Sequence, residues 1–422
     1  MDIMRISGGI PLRGTVRTQG AKNAALPVMA ACLLLKGRRM TLDNVPHLQD
    51  VDTMVDLLRS LGVGITREES RIVFDVPETI VWEASEHLVR RMRASSLVLG
   101  PLLARCGCAV LPLPGGCSIG SRPIDLHLKG LAQMGAKIEI KNGFVHAQAD
   151  RLRGRRIYLD FPSVGATENL MMAAVFARGE TIIENMAREP EIGNLAAVLR
   201  DMGVQVDTEG TGCVRIRGVE DVRDCSARVI PDRIEACTYV LAGVMTGGEI
   251  TVEDIIPEHI DALLAKLEEA GASFSVKKNA VAVHPVKKLR QVSIRTLPFP
   301  GFPTDLQPQM VAALTLSNGV SLVEESDFQS RFLYAAELNR MGANIEIRKD
   351  TAVIRGVEGL DGASVRATDL RAGAALILAG LAARGETRIE NMEHVFRGYE
   401  SIDQKLRALG ADVSLETGAE TK

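Results

Sequence analysis

One pattern constrains this chain more than any other. A helix end followed by a strand, of the form Leu-x-x-x-Gly-x-x-apolar, occurs six times. The copies are LRSLGVGI, LAQMGAKIEI, LRDMGVQVD, LEEAGASFSV, LNRMGANIEI and LRALGADVSL, with glycines at Gly62, Gly135, Gly203, Gly271, Gly342 and Gly410. Successive spacings are 73, 68, 68, 71 and 68 residues. Each glycine stands where a helix needs a left-handed residue just past its last turn, and a strand follows. A second helix keeps the same register, over 22–36, 93–106, 166–178, 234–247, 305–318 and 369–384. These segments are rich in Ala, Leu, Val and Met, are nearly uncharged inside, and end at glycines 37, 107, 179, 248, 319 and 385. A helix that is apolar all round is buried on every side.

An alternating strand such as Thr181-Ile-Ile-Glu-Asn or Thr387-Arg-Ile-Glu-Asn comes after that glycine. Each unit of about 70 residues therefore holds a buried helix, a strand, an amphipathic helix and further strands. An open array needs polar capping repeats, and here all six buried helices look alike. Two closed groups of three repeats fit better, with the midpoint near Arg228–Asp232 and a second crossing near Gly20–Lys22. The expected fold class is α/β.

Composition narrows the reading. Fifty Lys and Arg against 53 Asp and Glu give a net charge of −3, which argues against a surface coated for nucleic acid, and 4% aromatic residues offer few stacking platforms. The longest uncharged apolar stretches run to about fourteen residues, short of a membrane span. Met1-Asp2-Ile3-Met4-Arg5 begins no apolar leader. The seven cysteines form no CxxC, so reduced thiols in a cytoplasm are expected. No metal site and no cofactor are expected.

Several buried helices begin with charge: Lys22-Asn23, Arg93, Asp232-Arg233-x-Glu235, Asp305 and Asp369-x-Arg371. Helix N-termini carry unpaired N–H groups and a positive dipole end, so several converging ends suit phosphate or carboxylate. Asp232, Asp305 and Asp369 also read simply as helix caps. Lys22, Arg93 and Arg371 do not, because cations oppose the dipole there, so something negative should offset them. Residues 112–123, Pro-Leu-Pro-Gly-Gly-Cys-Ser-Ile-Gly-Ser-Arg-Pro, can continue neither helix nor strand and read as a binding loop. Cys117 sits at its centre with Arg122 nearby, a setting that lowers a thiol's pKa. His127 reads as a satisfied structural group.

These residues resemble the UDP-N-acetylglucosamine enolpyruvyl transferases. The resemblance rests on Gly20-Ala-Lys22-Asn23-Ala, Met92-Arg93-Ala-Ser, Pro114-Gly-Gly-Cys117-Ser-Ile-Gly-Ser-Arg122-Pro and Ser163-Val-Gly-Ala-Thr167. It continues through Pro231-Asp-Arg-Ile-Glu235, Phe302-Pro-Thr-Asp305-Leu-Gln, Arg331-Phe, Ala367-Thr-Asp369-Leu-Arg371 and Arg397-Gly-Tyr-Glu400, in order, to about Leu415. The sister family that makes enolpyruvylshikimate phosphate lacks the cysteine loop. The resemblance implies two inside-out α/β barrels of three repeats, one spanning 22–229 and the other combining 1–21 with 230–422. It implies transfer of the enolpyruvyl group of phosphoenolpyruvate to the 3′-hydroxyl of UDP-N-acetylglucosamine, with release of phosphate, as the first committed step of peptidoglycan precursor synthesis. Lys22, Arg122 and Arg397 would bind phosphoenolpyruvate, with Arg93, Arg331 and Arg371 nearby. Asp305 would be the base, Cys117 the proton donor and the target of the epoxide fosfomycin, and Asn23 and Asp369 would position the intermediate. The nucleotide sugar would contact Arg93, Arg122, Pro123, Ile124, Asp125, Leu126, Ser163, Val164, Asp305 and Asp327. Leu97 and Gln329 depart from some relatives and bear on substrate fine-tuning.

Overall fold

The structure, a computed structural model of the chain, describes residues 2–113, 124–208, 212–326 and 331–416. They form two compact units, one of residues 2–19 with 231–416 and one within 20–230. The chain passes from one unit to the other after Gln19 and returns after Ile230. Each unit has its own continuous apolar core.

In the 20–230 unit three apolar helices lie inside: Lys22–Ala31, Leu99–Cys106 and Val164–Ala174. Every residue from Ala24 to Ala31 is buried. Three sheets surround them. One runs Cys225–Arg228, Arg38–Asp43, Arg71–Val76, Gly64–Glu68. Its first pairing is parallel and joins the last strand of the third repeat to the first strand of the first. The three repeats thus close on themselves, which explains why no polar capping repeat is needed. A second sheet repeats the pattern, with Arg156–Tyr158 parallel to Glu180–Glu184. The third, of Cys108–Pro112, Phe144–Gln148 and Lys137–Lys141, has three strands, and a single parallel bridge from Glu83 to Val110 stands in for the fourth.

The other unit closes differently. Helices Arg233–Met245, Gln307–Leu314 and Leu370–Ala382 pack on one another inside it. Among the described residues the last repeat ends in one strand, Asp412–Glu416, rather than a hairpin. The N-terminal strand Ile3–Ser7 fills the missing place, antiparallel to both Asp412–Glu416 and Glu386–Glu390. Arg13–Arg17 then pairs in parallel with Glu249–Glu253. The first 17 residues therefore supply two strands to the unit made mostly by the C-terminal half.

All six repeat glycines are left-handed, with φ between 87° and 100°, as the sequence pattern requires. The second glycine series differs at one member. Gly247 takes the left-handed turn at φ 60°, while Gly248 lies against backbone, where a Cβ would sit 2.3 Å from the Leu12 carbonyl oxygen. The buried helices are also shorter than the apolar runs. Arg93–Val98 and Thr304–Leu306 are tight 3₁₀ turns before their α-helices, and Cys32–Leu34 is one after its helix. Two of the helices bury a carboxyl group: Glu235 at the charged start of its helix, and Glu168 further inside another.

A device not read from the sequence recurs at strand ends. Asn44, Asn185 and Asn391 follow the strands Arg38–Asp43, Glu180–Glu184 and Glu386–Glu390 and take left-handed φ of 60°, 51° and 63°. Each donates its amide to the chain of a neighbouring repeat: Asn44 to the Val229 oxygen, Asn185 to Leu159 and Asn391 to Ala367. Asparagine tolerates this backbone and carries its own donor. No described helix is long and apolar enough to cross a membrane.

Candidate active site

Within the 20–230 unit, Lys22 is the first residue of its helix, and Ala21 before it offers no capping side chain. The Lys22 ammonium pairs with Asp50 at 3.1 Å, with the two side chains 14% and 7% exposed. The negative group that offsets this cation is thus supplied by the protein. Asn23 beside it is exposed. Arg93 opens the 3₁₀ turn Arg93–Val98, following Met92 in extended conformation. Ser163 caps the helix Val164–Ala174 through its hydroxyl, which accepts from the Ala166 N–H at 3.3 Å. Ile124 is buried and Asp125 is exposed at the start of the helix Asp125–Gln133, where Leu126 follows. Cys117, Arg122 and Pro123 lie outside the described residues.

His127 is the structural group expected of it. Asn169 Nδ2 meets its Nδ1 at 2.9 Å and also donates to the Ser96 carbonyl at 2.8 Å, while Asn169 Oδ1 accepts from the Gly100 N–H. Those backbone partners fix which end of the amide is which, so His127 Nδ1 must accept, and the ring is neutral with its proton on Nε2. Burial pushes its pKa down to about 4, Asp125 opposing and Arg93 reinforcing the fall. Glu168 was not anticipated. Burial raises its carboxyl well above the ordinary range, and Glu191 and Glu189 raise it further. Its signal in the sequence was a Thr-Glu-Asn triplet interrupting an apolar run.

In the other unit, Asp305 lies in the 3₁₀ turn Thr304–Leu306, which the sheltered Pro303 precedes. It caps no helix. Instead Arg331 donates to its Oδ1 and Arg371 to its Oδ2, each at 2.8 Å. These guanidinium side chains are 2% and 7% exposed. Charge-assisted bonds to both oxygens hold the carboxylate in one orientation. Burial works against the Arg371 charge, but Asp305, Tyr399 and Asp232 outweigh it and raise that group's pKa. Arg331 also donates to the Thr304 carbonyl at 3.3 Å, and Glu325 accepts from the Thr304 hydroxyl at 3.0 Å. Asp369 and Asp232, by contrast, are helix caps: Asp369 accepts from the N–H groups of Arg371 and Ala372, and Asp232 from those of Ile234 and Glu235. Asp327 lies outside the described residues.

Arg397 sits in a turn between Met392–His394 and Tyr399. The buried Tyr399 hydroxyl anchors that turn, 2.8 Å from the Thr238 hydroxyl and 3.3 Å from Gln309 Nε2. These partners were missed, although a Thr and a Gln inside apolar helices are visible breaks in the pattern. Among the described residues no group of three or more His, Cys, Asp or Glu could hold a metal ion. Within the 20–230 unit Lys22 and Arg93 are cations suited to an anion; within the other unit Arg331 and Arg371 orient the Asp305 carboxylate, which can accept from a hydroxyl group.

Known proteins resemble this chain along its whole length. The family model for EPSP synthase (3-phosphoshikimate 1-carboxyvinyltransferase) matches residues 6–406. A UDP-N-acetylglucosamine 1-carboxyvinyltransferase 2 of Carboxydothermus hydrogenoformans is 52% identical over 98% of this chain and 99% of its own. The UDP-N-acetylglucosamine 1-carboxyvinyltransferase of Halorhodospira halophila is 50% identical, again over 98% and 99%. Among solved structures, the enolpyruvyl transferase NikO from Streptomyces tendae superposes with a TM-score of 0.89 at 25% identity, covering 99% of both chains. EPSP synthase from Acinetobacter baumannii shares the fold, with a TM-score of 0.78 at 17% identity over 99% of this chain and 100% of its own. Six repeats in two units and a sequence half identical to the two UDP-N-acetylglucosamine 1-carboxyvinyltransferases over nearly its whole length leave one assignment: the chain belongs to the EPSP synthase family of carboxyvinyltransferases and, within it, to the UDP-N-acetylglucosamine 1-carboxyvinyltransferases.

Proposed function

We propose that this chain transfers the enolpyruvyl group of phosphoenolpyruvate to the 3′-hydroxyl of UDP-N-acetylglucosamine, releasing phosphate, in peptidoglycan precursor synthesis. The observation that carries this is the 52% identity, over nearly the full length of both chains, to a relative bearing that activity's name. A cytoplasmic setting is part of this reading, and seven cysteines that form no CxxC motif support it.

The chemistry asks for few groups. The sugar oxygen forms a bond to C2 of phosphoenolpyruvate while C3 gains a proton. The resulting tetrahedral intermediate then loses phosphate from C2 and a proton from C3, which restores the double bond. Asp305 is the base for the sugar hydroxyl. Its two guanidinium partners fix its oxygens, and an oriented acceptor shortens the search for a reactive geometry. Cys117 delivers the proton to C3. Lys22, Arg122 and Arg397 bind the carboxylate and phosphate of phosphoenolpyruvate, with Arg93, Arg331 and Arg371 adding positive charge. Asn23 and Asp369 position the intermediate. Arg93, Arg122, Pro123, Ile124, Asp125, Leu126, Ser163, Val164, Asp305 and Asp327 contact the nucleotide sugar. The reaction needs no cofactor.

The test is phosphate release from phosphoenolpyruvate by the purified chain, with UDP-N-acetylglucosamine, with shikimate 3-phosphate, or with neither. Release only with the nucleotide sugar is expected. Release with shikimate 3-phosphate instead would move the chain to the sister activity.

A further inference from the structure

We propose that Gln19 is a positioning residue for the phosphoenolpyruvate-binding segment around Arg397, an inference that rests on the function proposed above. Gln19 is 8% exposed and is the last residue of its unit before the chain leaves it. Its side-chain amide spans the turn that follows Arg397: Nε2 donates to the Gly398 carbonyl at 3.3 Å, and Oε1 accepts from the Glu400 N–H at 3.0 Å. One side chain thereby mimics a strand partner for residues 398–400, which lie outside regular helix or strand and whose buried backbone groups need partners.

Gln19 is itself held on its backbone. Its N–H donates to Glu235 Oε2 at 2.7 Å, and its carbonyl accepts from the Asp232 N–H at 2.9 Å. Glu235 is 1% exposed, and its other oxygen takes a bond from Lys405 at 2.7 Å. The clamp on the Arg397 turn is thus built on the first turn of the helix Arg233–Met245, which Asp232 caps. A second anchor of the turn, Tyr399, rests on Thr238 of the same helix and on Gln309 of the helix Gln307–Leu314. A helix is stiff, so these contacts tie the turn to that helix, and Gln19 grips the backbone on both sides of Tyr399. A guanidinium must meet its carboxylate or phosphate within a few tenths of an ångström, so loosening the backbone next to Arg397 should weaken phosphoenolpyruvate binding more than nucleotide-sugar binding.

The experiment uses Gln19→Met, which keeps length and apolar bulk and removes both side-chain bonds, and Gln19→Glu, which keeps the acceptor for Glu400. Two readouts are taken on the full chain: steady-state phosphate release with each substrate varied, and amide exchange followed by mass spectrometry on peptides covering 396–401. Gln19→Met should raise KM for phosphoenolpyruvate by up to roughly tenfold, the cost of re-ordering on binding a turn that has lost about two neutral hydrogen bonds. KM for UDP-N-acetylglucosamine should stay within about twofold, and exchange should quicken in 396–401 without quickening across the unit. Gln19→Glu should recover part of the affinity. An unchanged KM for phosphoenolpyruvate, an equal rise in both KM values, or unchanged exchange at 396–401 would each overturn the proposal. Should Gln19→Met fail to fold, Gln19→Glu decides by the same readouts, with a smaller expected rise. A wild-type chain that releases no phosphate defeats the proposed function instead, and the exchange measurement still reports whether the clamp exists.

Discussion

Substituting His127 by Gln should remove a fixed amount of acid sensitivity from the 20–230 unit. The wild-type ring accepts a hydrogen bond from Asn169 and is almost wholly buried, so its pKa falls from 6.5 to about 4. The folded form binds fewer protons than the unfolded form between those values. The sign follows: the contribution is fully present above pH 6.5 and is lost as pH falls toward 4. The gap of 6.5 minus 4, at about 1.36 kcal/mol for each pH unit, makes the total roughly 3 kcal/mol. About 2 kcal/mol of it is already gone at pH 5, because the unfolded ring is by then nearly all protonated. A Gln at this position can still accept from Asn169 but cannot titrate. Urea unfolding should be followed by the fluorescence of Trp82, the one tryptophan of the chain, which lies in the same unit as His127. The difference in stability between wild type and His127→Gln should shrink or reverse by that amount between pH 7 and pH 5, since every other titrating group is common to both. A difference independent of pH would refute the reading of His127 as a neutral acceptor locked by Asn169.

Other outcomes follow from the same structure. Asp305→Asn keeps a group for one guanidinium but cannot accept a proton, so phosphate release should fall by ~10²–10⁴-fold while nucleotide-sugar binding, measured by calorimetry, weakens less; near-normal turnover would remove Asp305 from the role of base. Burial pushes the Glu235 carboxyl up to about 7 in spite of Lys405 and the Gln19 N–H. A raised acid favours the folded state at low pH, and that advantage is lost as pH rises from the ordinary 4.5 through 7, so the stability of wild type relative to Glu235→Gln should decline by roughly 3 kcal/mol across that window in denaturant titrations. Cys117→Asp should retain phosphate release and resist fosfomycin, whereas Cys117→Ser should lose most activity because its hydroxyl is too weak an acid; a fully active serine variant would show that acidity is not needed. In wild type the thiols of Cys106, Cys108 and Cys225 should react slowly with the epoxide, since burial raises the pKa of the first two and takes that of Cys225 to about 12.

The repeat, the α/β class and the six left-handed glycines were legible in the chain because they follow from local rules. A helix that ends needs a residue tolerant of positive φ, and a run without charge must be buried, whatever surrounds it. The charged helix starts were legible for the same reason, since the dipole makes a cation there conspicuous. Local rules could not say which of those charges are caps. Asp232 and Asp369 are, but Asp305 is held by Arg331, 26 residues on in the same repeat, and by Arg371, 66 residues on in the next, and those pairings exist only once the folded chain brings the three segments together. The same holds for Ile3–Ser7, a short alternating segment whose partners lie some 380 to 410 residues away. Buried polar contacts such as Asn169 with His127, Tyr399 with Thr238 and Gln19 with the Arg397 turn were out of reach too. A polar residue inside an apolar run signals that a partner must exist, because leaving it unbonded would cost about 1–3 kcal/mol, but the partner's identity depends on where the close-packed core brings a second chain segment within hydrogen-bond distance. Periodicity along the chain thus determined the elements and their order, and packing between repeats decided which charges and hydrogen bonds meet.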